Sequence, residues 1–567
     1  MGTGMTRLWA LLMLAGFLFF VPAVAQVGHH PDRSLEVDSA DPEAHALYML
    51  QAAREKLALG DTDGAIAMAE KAVIESPDFP CSYFLLSRIY LSDDLSHAAL
   101  LFSDGVIAWL RNFRWSLATL GGGAALLLLA TIVSVFIGWV VLFLKSAPLV
   151  LHDLKEGNID WRILLLSAAS VFLGLFYPIC FFSIILWPYF VRREKLFLCV
   201  FPLVMIISYW TLTVIASNFL FPVSPRLKAV VAVQEGHRFK YALDILNPPE
   251  SDEERFSLAM VFSKNRDHKR AIELYSGIDN KWKYYDIVLN NIGSSYYKLG
   301  QPEKAIEYFE KAFGSGLSSV EYNLSQVYRD GLLFDKGERL FKNLQARDPD
   351  SVFRFMSSDR VVVDEPLPRM ALWSLALRST EQMDALRSAL WKPLLGIIPL
   401  KFAPGTGAVL LVLFFILESR PKKRPQTYKC RKCGSVHCGR CEKRLFKANV
   451  CNSCYLGSLR IDQSDPQERI AKILQTQKHY DNRMRVTKLL AFFPGLGSYF
   501  LGHWLSGFLL LSGFILSFEV MFLTDFLFWI PFSMNGFNAR LAGLITACGL
   551  VVTSFYLVKK GVLHGWR

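Results

Sequence analysis

Long apolar runs alternate with stretches of helical periodicity along this chain of 567 residues. About 20 apolar residues in a row are enough for a helix to cross the hydrocarbon core of a membrane. Runs that meet this requirement occupy residues 117–144, 196–221, 394–417, 506–530 and 541–558. The pattern therefore predicts several membrane-spanning helices that are joined to polar helical segments.

Residues 162–191 are also apolar, but Pro178 and Pro188 interrupt the run. Proline removes a backbone hydrogen bond and kinks a helix, so two half-length helices could enter the membrane and return to the same side. This hairpin keeps all the neighbouring basic residues cytoplasmic, as the positive-inside rule requires: Lys155, Arg162, Arg192, Arg193 and Lys195. A single full crossing is the alternative, and it would place the cysteine-rich segment described below in the periplasm.

The N-terminus has the pattern of an export signal. One arginine precedes the apolar stretch, and Ala23, Val24 and Ala25 supply small residues before Gln26. Residues 1–25 are therefore predicted to be a secretory signal peptide, which places the segment that follows outside the cytoplasm. An uncleaved anchor is the alternative, and it leaves that segment on the same side.

Two blocks of the chain, residues 41–112 and 224–390, show short helices with polar turns. In the second block, "LNNIGSSYYKLGQPEKAIEYFEKAF" places small and aromatic residues at regular positions: Leu289, Ile292, Gly293, Tyr296, Ala305, Phe309 and Ala312. Ala271 precedes Ala305 by 34 residues. Small residues let paired helices cross closely, and aromatic residues fill the gap to the next pair.

These positions resemble the signature of the tetratricopeptide repeat (TPR). The resemblance implies helical solenoids. Together with the apolar runs, it predicts an all-α fold of TPR helical solenoids and transmembrane helices, with a small cysteine-rich insert that is described below. It also implies that the concave faces bind protein or peptide partners. The alternative is that the helices only space other parts of the chain.

Composition and charge narrow the class of protein. The chain is 52% hydrophobic and 13% aromatic, which is more apolar than is usual for a soluble protein. The net charge of +12 would suit nucleic acid, but the basic residues cluster beside the apolar runs, where they set membrane topology. We therefore expect membrane lipids around the protein and no nucleic-acid partner.

Six of the ten cysteines form three C-x-x-C pairs within residues 428–456. Paired C-x-x-C knuckles are typical of tetrahedral zinc sites, so zinc is the predicted cofactor. The candidate ligands are Cys430, Cys433, Cys438, Cys441, Cys451 and Cys454. A redox role is the alternative, but the βαβ context of thioredoxin-like motifs is not predicted here.

The segment "KCRKCGSVHCGRCEKRLFKANVCNSCY" resembles the later three-quarters of a FYVE finger. The resemblance implies one complete zinc site with four ligands: Cys430, Cys433, Cys451 and Cys454. Cys438 and Cys441 would be half of a second site, which either takes another ion with His437 or stays as free thiols. The family's phosphoinositide-binding stretch is replaced by "QTYKCR", so a structural platform is expected rather than headgroup recognition. Upstream, Lys422, Lys423 and Arg424 either bind anionic lipid or only set the topology.

A polar helical linker is predicted at residues 465–485, followed by a membrane module at 488–560. "PGLGSYFLGHWLSG" resembles a P-G-x-G-x-x-Y-x-G motif of small bacterial two-pass membrane domains, with Phe500 at the tyrosine position and Tyr499 beside it. Glu519 and Asp525 lie in or beside the following span, where acidic groups are costly and often functional. Glu519 is the better candidate for a buried role, and pairing with a basic residue of another helix is the alternative.

No phosphate-binding glycine loop, nucleophile elbow or HExxH helix occurs in the sequence, so an enzyme is not expected. The leading hypothesis is a multi-pass inner-membrane scaffold of a Gram-negative bacterium, with periplasmic TPR blocks and a cytoplasmic zinc ribbon, acting in envelope assembly or export. A transporter or channel component with accessory TPR domains is the second hypothesis. A membrane enzyme is the third, and it requires His152, Asp153, Glu156 and Asp160 to converge.

Overall fold

The structure is a computed structural model that describes most of the chain. The described residues are 42–156, 162, 165, 167, 169–170, 176–236, 239–356, 361–378, 380–396, 398–419, 427–438, 450–459, 466–527 and 536–563. The predictions for the signal peptide, for Lys422, Lys423 and Arg424, for Asp160 and for Cys441 fall outside these residues. The side chain of Asp525 is also outside the description.

Almost every described element is a helix, so the prediction of an all-α fold is confirmed. The described residues divide into two compact units. The repeat unit lies within residues 30–117 and 220–378, and the membrane unit within 118–219 and 379–567.

Up to residue 220, the residues that the structure describes include eight helices longer than one turn. They are α1 Pro42–Ala58, α2 Thr62–Glu75, α3 Pro80–Tyr90, α4 Leu95–Arg111, α5 Phe113–Lys155, α6 Phe176–Leu186, α7 Arg192–Leu198 and α8 Val200–Leu220. Short 3₁₀ turns at Trp187–Tyr189 and Phe221–Val223 follow α6 and α8. Aspartates begin two of the helices: Asp61 accepts a hydrogen bond from the Gly64 amide, and Asp94 accepts from the amides of Ser96 and His97.

In the second block, the described residues of the repeat unit form ten helices. They are α9 Pro225–Gln234, α10 Phe239–Leu246, α11 Asp252–Lys264, α12 His268–Ser276, α13 Tyr285–Lys298, α14 Pro302–Ala312, α15 Ser318–Asp330, α16 Phe334–Arg347, α17 Pro349–Met356 and α18 Arg369–Ala376. From α9 to α16, consecutive helices pack against each other in pairs.

The core of these pairs contains the small and aromatic residues that the sequence singles out. Ala271, Ala305, Phe309 and Ala312 are buried, and Leu289 is nearly so. Tyr296 is partly buried and stacks on Tyr308 with ring centroids 5.4 Å apart. A Cβ atom on Gly293 would lie 2.8 Å from the ring of Phe309, so only glycine lets α13 and α14 approach this closely.

The remaining elements belong to the membrane unit. They are α19 Glu381–Leu395, a 3₁₀ turn at Leu400–Phe402, α20 Ala403–Ser419, β1 Tyr428–Lys429, β2 Val436–His437, α21 Asn452–Leu459, α22 Pro466–Leu490, α23 Leu496–Leu501, α24 Trp504–Leu527 and α25 Gly536–Leu563.

Five described helical segments are long and apolar enough to cross a membrane: Phe113–Lys155, Arg192–Val223, Leu400–Ser419, Trp504–Leu523 and Leu541–Lys560. Each overlaps one of the five apolar runs in the sequence. Phe176–Tyr189 is a shorter apolar segment within the region predicted to form the hairpin. These findings indicate a membrane protein.

Tyr499 fills the core of the C-terminal membrane module. Its side chain is fully buried, and a Cβ atom on Gly507 would lie 2.6 Å from its ring. The ring also lies 4.9 Å from that of Trp504 and 5.5 Å from that of Phe197, measured between centroids. Phe500, which stands at the motif's tyrosine position, is only partly buried. The core tyrosine is therefore one residue earlier than the motif places it.

Candidate metal centre and candidate peptide groove

A short hairpin brings the first two cysteines of the ribbon together. Strands β1 and β2 pair antiparallel, with Tyr428 opposite His437 and Lys429 opposite Val436. In the turn between them, the Cys430 amide donates to the Ser435 carbonyl at 2.8 Å, and the Gly434 amide donates to the Cys430 carbonyl at 3.0 Å. This tight turn holds Cys430 and Cys433 side by side.

The other two cysteines are placed by α21. Cys451 directly precedes this helix and Cys454 lies in its first turn. The Cys451 amide donates to the Cys430 sulfur at 3.4 Å. Backbone N–H groups at a helix N-terminus favour negative charge. Burial alone would raise the pKa of Cys451, but hydrogen bonds from Ser453 and the Cys454 amide outweigh it and lower this pKa.

The four sulfur atoms form a compact, buried group. Those of Cys430, Cys433, Cys451 and Cys454 all lie within 4.8 Å of one another, and each residue is at most 5% exposed. Cys433 Sγ and Cys451 Sγ are 3.7 Å apart. A tetrahedral Zn–S₄ site with bonds of about 2.3 Å has sulfur–sulfur distances of about 3.8 Å. The donor set therefore fits a metal ion of the zinc type.

Hydrogen bonds prepare one sulfur for metal binding. Burial alone would raise the pKa of Cys433, but hydrogen bonds from Ser435 and from the neighbouring thiols outweigh this effect and lower its pKa to about 6. Ser435 Oγ lies 2.8 Å from Cys433 Sγ and 2.8 Å from His437 Nε2. His437 thus contacts Ser435, which contacts a candidate ligand. Cys438 is also buried but lies outside the group of four.

Helix α22, predicted as a linker, packs over the ribbon. Gly434 has φ = +74°, and a Cβ atom there would lie 2.4 Å from the ring of His479. Lys472 lies beside the thiols: burial lowers its pKa, but the attraction of Cys433, Cys451 and Cys454 outweighs this and raises it. Four thiolates around a divalent ion carry a net negative charge, which Lys472 partly offsets. The helix is therefore part of the site.

Partly buried ion pairs join helix ends of the membrane unit, and one carboxylate joins α5 to the start of the ribbon. Lys145 of α5 pairs with Glu194 of α7, and Lys195 pairs with Glu418 of α20. The Asp153 carboxylate accepts hydrogen bonds from Tyr189 and from Thr427, the residue that precedes β1.

Two of the four residues named for a membrane enzyme, His152 and Asp153, lie at these contacts. Asp153 accepts from Tyr189 and Thr427, so its contacts tie structural elements together. His152 Nδ1 lies 3.9 Å from an Asp153 oxygen. The structure therefore shows a structural role for Asp153, and the hypothesis of a membrane enzyme stays a hypothesis.

The second candidate site is a groove in the repeat unit that holds an extended part of the chain. Residues 361–368 form neither helix nor strand, and we name residues 361–367, with the sequence "VVVDEPL", the groove segment. Side chains of α13 and α15 bind it, together with Gln234 at the end of α9.

Two asparagines bind the backbone of the groove segment, and each uses its side-chain amide to bind both the N–H and the C=O group of one residue. Asn323 Nδ2 donates to the Val363 carbonyl at 2.8 Å, and the Val363 amide donates to Asn323 Oδ1 at 2.7 Å. Asn291 makes the same pair of bonds with Glu365, at 2.9 and 2.8 Å. Asn290 Nδ2 adds a bond to the Val363 carbonyl at 3.1 Å. Each such bond contributes about 0.5–1.5 kcal/mol net.

The carboxylate of Asp364, in the middle of the groove segment, forms an ion pair with a lysine of the groove. Asp364 lies 2.7 Å from Lys298 Nζ, accepts a hydrogen bond from Ser294 at 2.5 Å, and its side chain is only 5% exposed. Burial raises the pKa of Asp364, but Lys298, Ser294 and Lys264 together outweigh burial and hold the pKa below its ordinary value. Asp364 is therefore ionised at neutral pH.

Apolar side chains of the groove segment also pack into the repeats. Val362 is buried in a cluster with Ala305, Phe309, Val327 and Tyr328. Val363 packs against a second cluster around Tyr322, and Leu367 is 4% exposed. The groove thus binds backbone, one carboxylate and aliphatic side chains at once.

The asparagines are the functional residues that the sequence analysis missed. Asn290 and Asn323 are 33 residues apart, close to the length of one repeat, and they hydrogen-bond to each other at 2.9 Å. Asparagine is an unusual choice for a fully buried helix position. Its recurrence at the same position of successive repeats is the signal that could have revealed them.

Comparison with known proteins identifies one repeat. Residues 287–313, which cover most of α13 and all of α14, match the tetratricopeptide repeat family model. The predicted resemblance to TPR proteins is therefore confirmed for this repeat. No curated protein matches the chain.

Proposed function

We propose that the protein is a multi-pass membrane scaffold whose TPR unit binds protein partners. One observation carries this proposal: the repeat unit holds an extended polypeptide through backbone clamps at Asn291 and Asn323. TPR repeats generally mediate protein–protein interactions, and five apolar helices provide the attachment to a membrane. The role is one of assembly, not of catalysis.

The proposed location is the inner membrane of a Gram-negative bacterium, with the TPR blocks in the periplasm and the ribbon in the cytoplasm. A reducing compartment suits a cluster of thiolate ligands. The contacts of Lys145 with Glu194 and of Asp153 with Tyr189 support a hairpin at residues 162–191. They join the chain before the hairpin to its last residues and to the chain after it, as expected if both ends lie on one side.

The proposed cofactor is one zinc ion bound by Cys430, Cys433, Cys451 and Cys454. When bound, zinc would hold two distant parts of the chain together without redox chemistry. Lys472 and His479 of α22 would then pack on the completed ribbon. A structural role follows, because four protein ligands leave no open position for a substrate.

The scaffold is tested by crosslinking in intact cells that express the full chain. A photoreactive amino acid is placed at Val361, which is 49% exposed beside the groove, and in a control at Asn343, an exposed position of α16. We expect adducts with one or a few identified proteins from Val361 and far fewer from Asn343. Equal, unselective labelling from both positions would contradict the scaffold.

One observation favours a channel or transporter component as the second candidate. Glu519 in α24 is 6% exposed, and neither carboxylate oxygen has a hydrogen-bond partner among the residues that the structure describes. Such a group in a membrane span is a candidate ion or proton site. Proton flux into liposomes that contain the protein, abolished in Glu519→Gln, would support this role, and no flux in either protein would exclude proton conduction.

A further inference from the structure

The contacts of the groove segment separate into general and specific ones. Asn291 and Asn323 bind only the N–H and C=O groups of Glu365 and Val363, which every non-proline residue has. Val363 and Glu365 are two positions apart in the sequence, so their backbone groups lie on the same side of an extended chain. The clamps therefore accept an extended peptide of almost any sequence.

Specificity comes from the side chains between and beside the clamped positions. Lys298 and Ser294 require a carboxylate at the position of Asp364. The cluster around Phe309 requires an aliphatic side chain at the position of Val362, two residues earlier. The groove thus matches an extended peptide with an aliphatic residue two positions before an aspartate or glutamate.

The groove also needs an occupant. Asn290, Asn291 and Asn323 are fully buried with the segment in place. An empty groove would remove their hydrogen bonds to Val363 and Glu365 and leave them only the bonds to one another and to Tyr275. Lys298 would lose its carboxylate in the same way. Occupancy by a chain of matching chemistry is therefore strongly favoured over an empty groove.

The described hydrogen bonds between the groove segment and the helices of the repeat unit all involve a side chain of the helices or of Asp364. The segment makes no strand ladder, and Val361 and Pro366 are exposed. It can therefore leave the groove without breaking the backbone hydrogen bonds of α13 or α15.

Resting on the function proposed above, we propose that the groove segment is an internal ligand, which a partner protein displaces with an extended segment carrying an aliphatic residue two positions before an acidic one. The tether gives the internal ligand a high effective concentration. A partner therefore engages the groove only when its own segment binds more tightly or is locally concentrated.

The test uses the full chain in detergent and a fluorescent peptide of sequence VVVDEPLP, which copies residues 361–368. In Asp364→Lys, the internal ligand is repelled by Lys298, and we expect the peptide to bind at least ~10-fold more tightly than to the wild type. A matched peptide with lysine in place of its aspartate should not bind the variant. Adding Asn291→Ala to the variant should weaken peptide binding again.

Hydrogen exchange of the wild-type chain gives a second, independent readout. We expect the amides of Val363 and Glu365 to exchange faster than those of Ile292 and Gly293 in α13, because the segment opens while the helices stay folded. This result supports the proposal even if Asp364→Lys does not fold. Exchange as slow as in α13 would overturn it, since the segment would then be a permanent part of the core.

Failure of the peptide to bind a folded Asp364→Lys protein would also overturn the internal ligand. That outcome is separate from the scaffold function, which is judged by crosslinking in cells. Partners captured from Val361 without peptide binding would leave the scaffold intact and place its binding surface elsewhere.

Discussion

Single residues set the chemistry of both candidate sites. Ser435 lowers the pKa of Cys433, and Lys298 holds Asp364 as a carboxylate. In each case a polar neighbour stabilises the charged form of a buried group, which burial alone would disfavour. The sites therefore depend on one or two contacts that can be removed singly.

Loss of one ligand should separate the complete metal site from the remaining thiols. We expect Cys430→Ser to lose bound zinc, because three sulfurs and a hydroxyl bind it much more weakly than four thiolates. Cys438→Ser should keep it, since Cys438 lies outside the group of four. Metal content of the purified full chain is measured by mass spectrometry, with the exposed Cys548→Ser as control. Equal zinc loss in Cys438→Ser would contradict this assignment.

The groove segment should make the repeat unit sensitive to acid. The pKa of Asp364 is lower in the folded than in the unfolded chain, where it is near 3.8. Its contribution to stability is therefore complete above that value and is lost as pH falls through the lower, folded-state pKa.

Calorimetry of the wild type and Asp364→Asn between about pH 6 and pH 2 measures this effect. We expect the variant to be less stable by about 1–3 kcal/mol near neutrality and the difference to shrink below about pH 4. Asp335→Asn, at an exposed position of α16, serves as the control. A difference that stays constant down to pH 2 would show that the charge of Asp364 is not responsible.

Helices pack closely where small residues permit it. The pair α13 and α14 depends on Gly293, which leaves room for the Phe309 ring, and the C-terminal module depends on Gly507 beside Tyr499. At these contacts an added side chain must displace an aromatic ring that is already fully buried. The glycine and the ring are therefore interdependent.

Filling the space beside Phe309 should loosen the repeat. We expect Gly293→Leu to destabilise the repeat unit by about 1–3 kcal/mol or more, the usual effect of overpacking. Asn343→Leu, at an exposed position of α16, should change stability by less than about 0.5 kcal/mol. Thermal unfolding of the full chain in detergent measures both, and equal midpoints for the two variants would refute the packing argument.

At the scale of the whole molecule, the chain passes back and forth between the repeat unit and the apolar helices of the membrane unit. The repeat unit contains residues from both sides of the segment 118–219, and the proposed topology places these two parts on one side of the membrane. An even number of crossings between them is therefore required. Two spans, α5 and α7–α8, meet this condition if residues 162–191 return to the side from which they started.

Reporter fusions test this topology. We expect alkaline phosphatase to be active when fused after Arg347 and inactive when fused after Leu459, because the enzyme folds only in an oxidising compartment. A fluorescent protein that requires the cytoplasm should give the opposite pattern. Cytoplasmic readout after Arg347 would contradict both the hairpin and the periplasmic location of the TPR unit.

Local sequence patterns predicted the helices and the cysteine grouping, while long-range contacts escaped them. The apolar run at 196–221 lies within Arg192–Val223, and the signature around Gly293 lies in the repeat that the family model matches. The FYVE resemblance implied the four cysteines that the structure brings together. In all these cases the information is contained in short spacings.

The groove segment could not be predicted in this way. Asn291 binds Glu365 across 74 positions of the chain, and Asn323 binds Val363 across 40. "VVVDEPL" has no periodicity that marks it as a ligand. The packing of His479 on Gly434 was missed for the same reason, since the polar pattern of α22 resembles that of any exposed helix.

Helix α5 continues well past its apolar run. Its 43 residues extend about 65 Å at 1.5 Å per residue, roughly twice the hydrocarbon thickness. Asp153, which holds Thr427 at the start of the ribbon, lies about 12 Å farther along the helix than Lys145, the first charge after the apolar run. The start of the ribbon is thus attached about two turns beyond the apolar run, at the polar end of α5.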